Sequence, residues 1–159
     1  MFKSVISAAA GIMFVLTAVT VSAQENFKAQ VQKVTVNGQV LYELGSGAKS
    51  LEIDSAKEVK LEYTFANNGS SPANQELRIF VHFENGGEIL VNGDYQPTIP
   101  TTQWLKGKKI VDSGSYSFAK YKGKTFDVFV GLFKEDRYDM DNEGVADDKR
   151  LKLGSLICK

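Results

Sequence analysis

The chain has 159 residues, 43% of them hydrophobic and 11% aromatic, enough for one domain with a substantial core. Nineteen Lys and Arg balance nineteen Asp and Glu, so no basic field exists to gather nucleic acid or coat an anionic membrane. A single cysteine, Cys158, and a single histidine, His82, exclude a disulfide framework and a Cys/His zinc site.

Met1–Ala23 carries Lys3, then an apolar run from Val5 to Val19, and finishes Val21-Ser22-Ala23. A charged start, an apolar run and a small-x-small end predict a cleaved secretory signal, leaving residues 24–159 as one domain. The same apolar length approaches that of a membrane anchor, the competing reading. No Cys follows the cleavage site to take a lipid. Processing leaves eighteen basic against nineteen acidic residues, so the mature chain stays close to neutral. The expected location is periplasmic, cell-surface or extracellular, with no membrane insertion after processing.

From Phe27 the hydrophobic period is two. Candidate strands in chain order begin with Ala29–Val36, Val40–Leu44 and Ser50–Ile53. Asn37-Gly38 between the first two is a type I′ hairpin signal, because both central residues of that turn need positive φ. Val59, Leu61, Tyr63 and Phe65 alternate with polar residues and form the first inward row. Asn67–Asn74, rich in Asn, Ser and Gly, is expected to be an exposed connection, and its Asn68-Gly69-Ser70 fits a glycosylation sequon if the source is eukaryotic.

A second inward row is Leu77, Ile79, Val81 and Phe83, with Phe80 and His82 suggesting partial cover on the opposite face. Asn85-Gly86-Gly87 turns the chain into Glu88–Val91. Pro97 and Pro100 bracket an extended stretch unable to donate ladder hydrogen bonds. Two short candidates follow, Lys109–Asp112 and Ser115–Ala119. The third inward row is Phe126, Val128, Val130 and Leu132, with Phe129 and Phe133 thickening the other side, and Leu151–Ile157 is the last strand. The fold class predicted is all-β: an antiparallel immunoglobulin-like β-sandwich of about seven to nine strands, with a closed barrel as the alternative.

The run Val81-His82-Phe83, Gly87-Glu88-Ile89-Leu90, Asp94, Pro97, Pro100-Thr101, Trp104, Gly107 and Val130-Gly131-Leu132-Phe133 resembles bacterial immunoglobulin-like modules. These are similar to accessory domains of exported or membrane-bound glycan-handling proteins. The likeness covers about Leu77–Phe133 and implies a β-sandwich, with no chemistry of its own.

His82 and Asp94 could in principle serve acid–base work, but a strand histidine paired to a loop carboxylate more often fixes the loop, and no Ser nucleophile sits in an elbow nearby. Trp104 is read as a plug closing one end of the sandwich. Tyr95, Tyr116, Tyr121 and Tyr138 are candidate sugar-stacking aromatics at expected surface positions.

Between Lys134 and Arg150, seven carboxylates crowd against four basic residues. Asp139-x-Asp141-x-Glu143-Gly144-x-x-Asp147 resembles a calcium loop, in which alternate carboxylates converge on one cation and glycine permits the turn. Position twelve is Arg150 in place of a bidentate Glu, and strands flank the loop, which excludes an EF-hand. Asp139, Asp141, Glu143 and Asp147 are therefore candidate ligands of a hairpin calcium site, and Asp136 or Asp148 is the candidate for a missing ligand. The alternative is a solvated acidic loop. Cys158 is read as a buried thiol, with an intermolecular disulfide as its alternative.

The function expected is an exported, non-catalytic module with a structural or assembly role at the envelope or outside the cell, with Gln24–Val36 as a candidate donor strand for self-assembly. Recognition of a glycan or an envelope protein is the alternative. The partner is thus a protein, a second copy or a glycan, and no nucleic acid.

Overall fold

A computed structural model describes residues 26–135, 137–138 and 140–159; the predicted signal, Asp136 and Asp139 lie outside these residues. Among the described residues there are ten strands: β1 (Ala29–Val36), β2 (Gln39–Glu43), β3 (Gly47–Ile53), β4 (Glu58–Asn67), β5 (Arg78–Asn85), β6 (Glu88–Asn92), β7 (Lys109–Ser117), β8 (Thr125–Lys134), β9 (Arg137–Tyr138) and β10 (Leu151–Cys158). Two short 3₁₀ turns, Thr101–Gln103 and Ala119–Tyr121, are the remaining regular elements. No helix among the described residues is long and apolar enough to cross a membrane.

The strands form one path in the order β6-β5-β8-β10-β3-β2-β1-β4-β7, and β9 adds to β8. All ladders are antiparallel except one. β3 and β10 run parallel, from Gly154 opposite Lys49 to Cys158 opposite Ile53. The expectation of a purely antiparallel sheet is therefore corrected: the sheet is mixed, and it curls into a half-barrel. Period two places side chains on faces but says nothing about the direction of the neighbouring strand.

The curl brings the ends of the path face to face. The Phe83 ring of β5 packs 4.7 Å from that of Tyr116 on β7. The three inward rows meet in this space: Val59, Leu61, Tyr63 and Phe65 of β4, and Phe126, Val128, Val130 and Leu132 of β8, are fully buried, as are Ile79, Val81 and Phe83 of β5. Each such side chain contributes about 1.5–3 kcal/mol through removal from water. The Asn37-Gly38 turn takes φ of 49° and 84°, the two positive values a type I′ hairpin demands.

Two sequence expectations change. Lys109–Asp112 and Ser115–Ala119 are joined in the single strand β7, because β4 pairs with it without interruption from Glu58 opposite Ser117 to Ala66 opposite Lys109. The Asn67–Asn74 connection is not simply exposed. Asn67 at its head is fully buried. Its Oδ1 accepts the N–H groups of Lys28 at 3.2 Å and Gly69 at 2.8 Å, and its Nδ2 donates to the carbonyls of Ser71 and Trp104, each at 2.8 Å.

Where the ends of the path meet, side chains take over from backbone ladders. Tyr95, which follows β6, packs beside Tyr63 of β4 with ring centroids 6.2 Å apart, and Tyr63 shares a hydrogen bond of 3.1 Å between hydroxyls with Tyr116 on the neighbouring β7. The buried carboxylate of Asp112 on β7 accepts the N–H and the hydroxyl of Thr98. The extended stretch after β6 is thereby tied to the far end of the sheet. Tyr116 is buried and Tyr95 packs against the core, so neither is the surface sugar platform expected. Burial holds the phenols of Tyr63, Tyr95 and Tyr116 above their ordinary range; Tyr116 adds to the effect on Tyr63, and Asp112 to that on Tyr95.

Two tests follow from these contacts. Asn67→Ala leaves four backbone groups without their partner and is expected to lower stability by about 3 kcal/mol in denaturant unfolding. In an alkaline titration, unfolded phenols ionise near pH 10 whereas these three do so higher, so stability is intact below that pH and declines above it. Tyrosinate absorbance should accordingly rise in two phases, the second coinciding with loss of the near-ultraviolet circular dichroism signal.

Candidate functional site

The outward face of β5 and β8 is not the polar surface that alternation ordinarily leaves on a one-sided sheet. Phe80 and His82 on β5 stand opposite Gly131 and Phe129 on β8. A Cβ added to Gly131 would lie 2.2 Å from Cζ of Phe80, so only glycine lets that ring lie down across the strand. Phe133 packs 5.8 Å from Phe80, and His82 lies 5.0 Å from it on the other side. The result is an aromatic floor under an open cleft of about 380 Å³, lined by Phe80, His82, Ile89, Asp94, Phe133, Asp148 and Arg150.

One row across the same face sets two carboxylates side by side, Glu84 of β5 opposite Asp127 of β8. Like charges directly opposite destabilise a ladder unless they are compensated. The compensation comes from around β10: Lys152 pairs with Asp127 at 2.7 Å, Ser155 donates to the same carboxylate at 2.8 Å, and Arg150 reaches Glu84. Arg150 also binds Asp148 through Nε at 2.6 Å and lies 4.6 Å above the Phe129 ring. Burial works against its charge, but the hydrogen bonds to Asp148 and Glu84 prevail and raise the guanidinium pKa above its usual value. Slight burial opposes ionisation of Asp148, yet Arg150 holds that carboxyl below the usual range.

His82 and Asp94, singled out from the sequence, are brought together. His82 Nε2 lies 3.3 Å from Asp94 Oδ1, which also accepts the Val81 N–H at 3.2 Å. His82 Nδ1 is buried and, among the described residues, has no hydrogen-bond partner. Trp104, the third residue expected to fix a loop, is far from this face in role. It is fully buried, with Phe65 at 5.5 Å and Phe27 at 6.1 Å, and its indole N–H donates to the Ile99 carbonyl at 2.7 Å.

The chain matches no protein-family model and no curated protein. The arguments that follow therefore rest on geometry.

Of the candidate calcium ligands, Asp139 lies outside the described residues. Asp141 pairs with Lys28 at 3.6 Å, and Glu143 and Asp147 are exposed. Among the described residues no three His, Cys, Asp or Glu side chains converge as metal ligands would. The segment is instead docked by Asn142, which sequence reading passed over. Its amide accepts the Val31 N–H at 2.8 Å and donates to the Val31 carbonyl at 2.9 Å, in the manner of a strand partner, at the point where the pairing of β1 with β4 shifts register. Glu143 and Gly144 border a smaller hollow of about 270 Å³ beside Tyr42, Leu44, Gly45 and Gly47. Cys158 is buried, and burial pushes its thiol pKa up.

Phe80, Phe133, Ile89 and Arg150 were not among the residues singled out for the site. The signal for the first two was present as apolar residues on the wrong phase of β5 and β8. Gly131→Ala should displace the Phe80 ring and cost about 1–3 kcal/mol in chemical unfolding. The ring proton signals of His82 should move in the same variant while the Trp104 indole signal stays in place.

Proposed function

We propose that this chain is an exported, non-catalytic recognition module: an immunoglobulin-like β-sandwich that binds its partner at the envelope or outside the cell through the cleft on the outer face of β5 and β8. The observation that carries this reading is the aromatic floor of Phe80 and Phe133, kept on an outward sheet face by Gly131. Phe80 is itself buried, so the apolar surface left open is that of Phe133 and Ile89; a sheet that needs only one buried face gains nothing in solubility from it, whereas a ligand site needs an apolar base with a few placed polar groups. The cleft volume lies at the small end of the range for ligand pockets. Export is supported by the Met1–Ala23 pattern.

Several features favour binding over catalysis or assembly. Among the described residues lining the cleft there is no hydroxyl or thiol to act as a nucleophile, and the nitrogen of His82 not facing Asp94 is occluded. Strand donation by Gln24–Val36 has less support, because β1 is paired along both edges, with β2 and with β4, and its release would break two ladders. The reading does not require calcium, since Asn142 and the Asp148–Arg150 pair already hold the acidic segment.

His82 is the only histidine and Trp104 the only tryptophan, so each gives an isolated proton NMR reporter, one in the cleft and one in the core. Titration with cell-wall oligosaccharides and with short peptides should give at least one ligand that shifts the His82 ring signals saturably and leaves the Trp104 indole unmoved. Phe133→Ser should abolish that shift. Ligands that bind by calorimetry without moving His82, or an absence of binding by both classes, would overturn the proposal.

A further inference from the structure

We infer that the cleft selects a positively charged group on an apolar stem, the arginine or lysine side chain of a partner polypeptide. The inference rests on the cleft being the recognition site and adds the chemistry of what it recognises.

Charge is the first argument. Two carboxylates, Asp94 and Asp148, line the cleft against one cation, Arg150. That cation is already engaged, through Nε with Asp148 and through a terminal nitrogen with Glu84, which leaves Asp94 as the lining carboxylate that, among the described residues, is bound to no Lys or Arg. Asp94 meets only N–H donors of backbone, amide and imidazole: Val81 at 3.2 Å, Asn92 at 3.3 Å and His82 at 3.3 Å. An anionic ligand would add to this negative surplus, and a neutral sugar would use the carboxylates as hydrogen-bond acceptors without drawing on the net charge, which only a cation does.

The floor supplies the second argument. Phenylalanine faces and the half-exposed Ile89 suit a methylene stem, and an aromatic face beside a carboxylate attracts the cation at its end. The fold contains this arrangement once already, since Arg150 lies over Phe129 between Asp148 and Glu84. An incoming basic side chain would repeat it against the part-exposed Phe133 and Ile89, with the buried Phe80 backing the floor and Asp94 as counter-charge. A polypeptide is favoured over a free amine because β6, which carries Ile89, ends the strand path: among the described residues no strand pairs with its outer edge, and apart from the Leu90 carbonyl, which accepts the Tyr121 hydroxyl at 2.8 Å, that edge offers backbone groups that another chain can match.

The test follows the His82 ring signals during titration with acetyl-Gly-Arg-Gly-amide and with the same peptide carrying citrulline, a neutral isostere of arginine. The arginine peptide is expected to bind about tenfold more tightly. Its affinity should fall several-fold as salt rises from about 20 to about 200 mM. Asp94→Asn, which keeps an oxygen for the Val81 N–H, should remove most of the preference, with an unmoved Trp104 signal certifying the fold. Equal affinity for the two peptides, or no salt dependence, would overturn the inference. If a neutral oligosaccharide shifts His82 and the arginine peptide does not, cation selection fails while recognition at the cleft stands. If neither class shifts it, both fail. Butylguanidinium binding as tightly as the peptide would reject the polypeptide and leave a free organic cation as ligand.

Discussion

The amide of Asn67 is where separate parts of the chain are held in common. Its oxygen serves the backbone before β1 and the turn after β4, and its nitrogen serves the carbonyls of Ser71 and Trp104. Its own carbonyl accepts the Gly107 N–H at 2.8 Å. Four donor and acceptor sites of one side chain are thus filled without water, in a place where any unfilled group would be costly. Trp104 is held from both its backbone and its indole. The neighbouring Thr101 hydroxyl accepts the Leu77 N–H at 2.9 Å and donates to the Gln75 carbonyl at 3.1 Å, which fixes the entry to β5. The orientation of the outer face, and of Phe80 and His82 on it, descends from this network.

The half-barrel stays open in its backbone because the segment after β6 cannot complete a ladder. Tyr95 still pairs with Ile79 of β5, its N–H and carbonyl both at 2.9 Å, but Pro97 and Pro100 then deny the chain the donors a further strand would need. Closure passes to side chains, through Thr98 with Asp112, Tyr95 with Tyr63 and Phe83 with Tyr116. The polar groups at this seam lie inside the fold, whereas those of the outer cleft are partly exposed. The molecule therefore has two polar clusters of opposite character, one that shuts the sheet and one available to a partner.

Alternation made β4, β5 and β8 legible, since a half-buried strand writes its buried face into every second residue. The ladder of β4 with β7 was not legible. Ser113-Gly114 reads as a break in isolation, and only the partner residues Glu62 and Leu61 keep it extended. The parallel joining of β3 to β10 was equally hidden, because face periodicity carries no strand direction. At the site, His82 and Asp94 stood out as rare or charged residues on a strand and its following loop. Arg150 was read within a local run of charge, although its partner Glu84 lies on another strand. Asn67 and Asn142 were passed over for the same reason, since an asparagine in a polar stretch looks like turn chemistry until its distant backbone partners are known.

The parallel ladder also orders events in time. Of the ten strands, β10 is the last to be synthesised, yet it lies in the middle of the path and joins the two halves. Until it arrives, β8 lacks one neighbour and β3 has only the two residues of β2 that pair with it. The joining of the two halves therefore waits on β10, whose ladder with β3 links residues about a hundred positions apart. Pairing of such high sequence separation pays its loop-closure entropy before it is rewarded, so this ladder sets the pace at which the whole sheet forms.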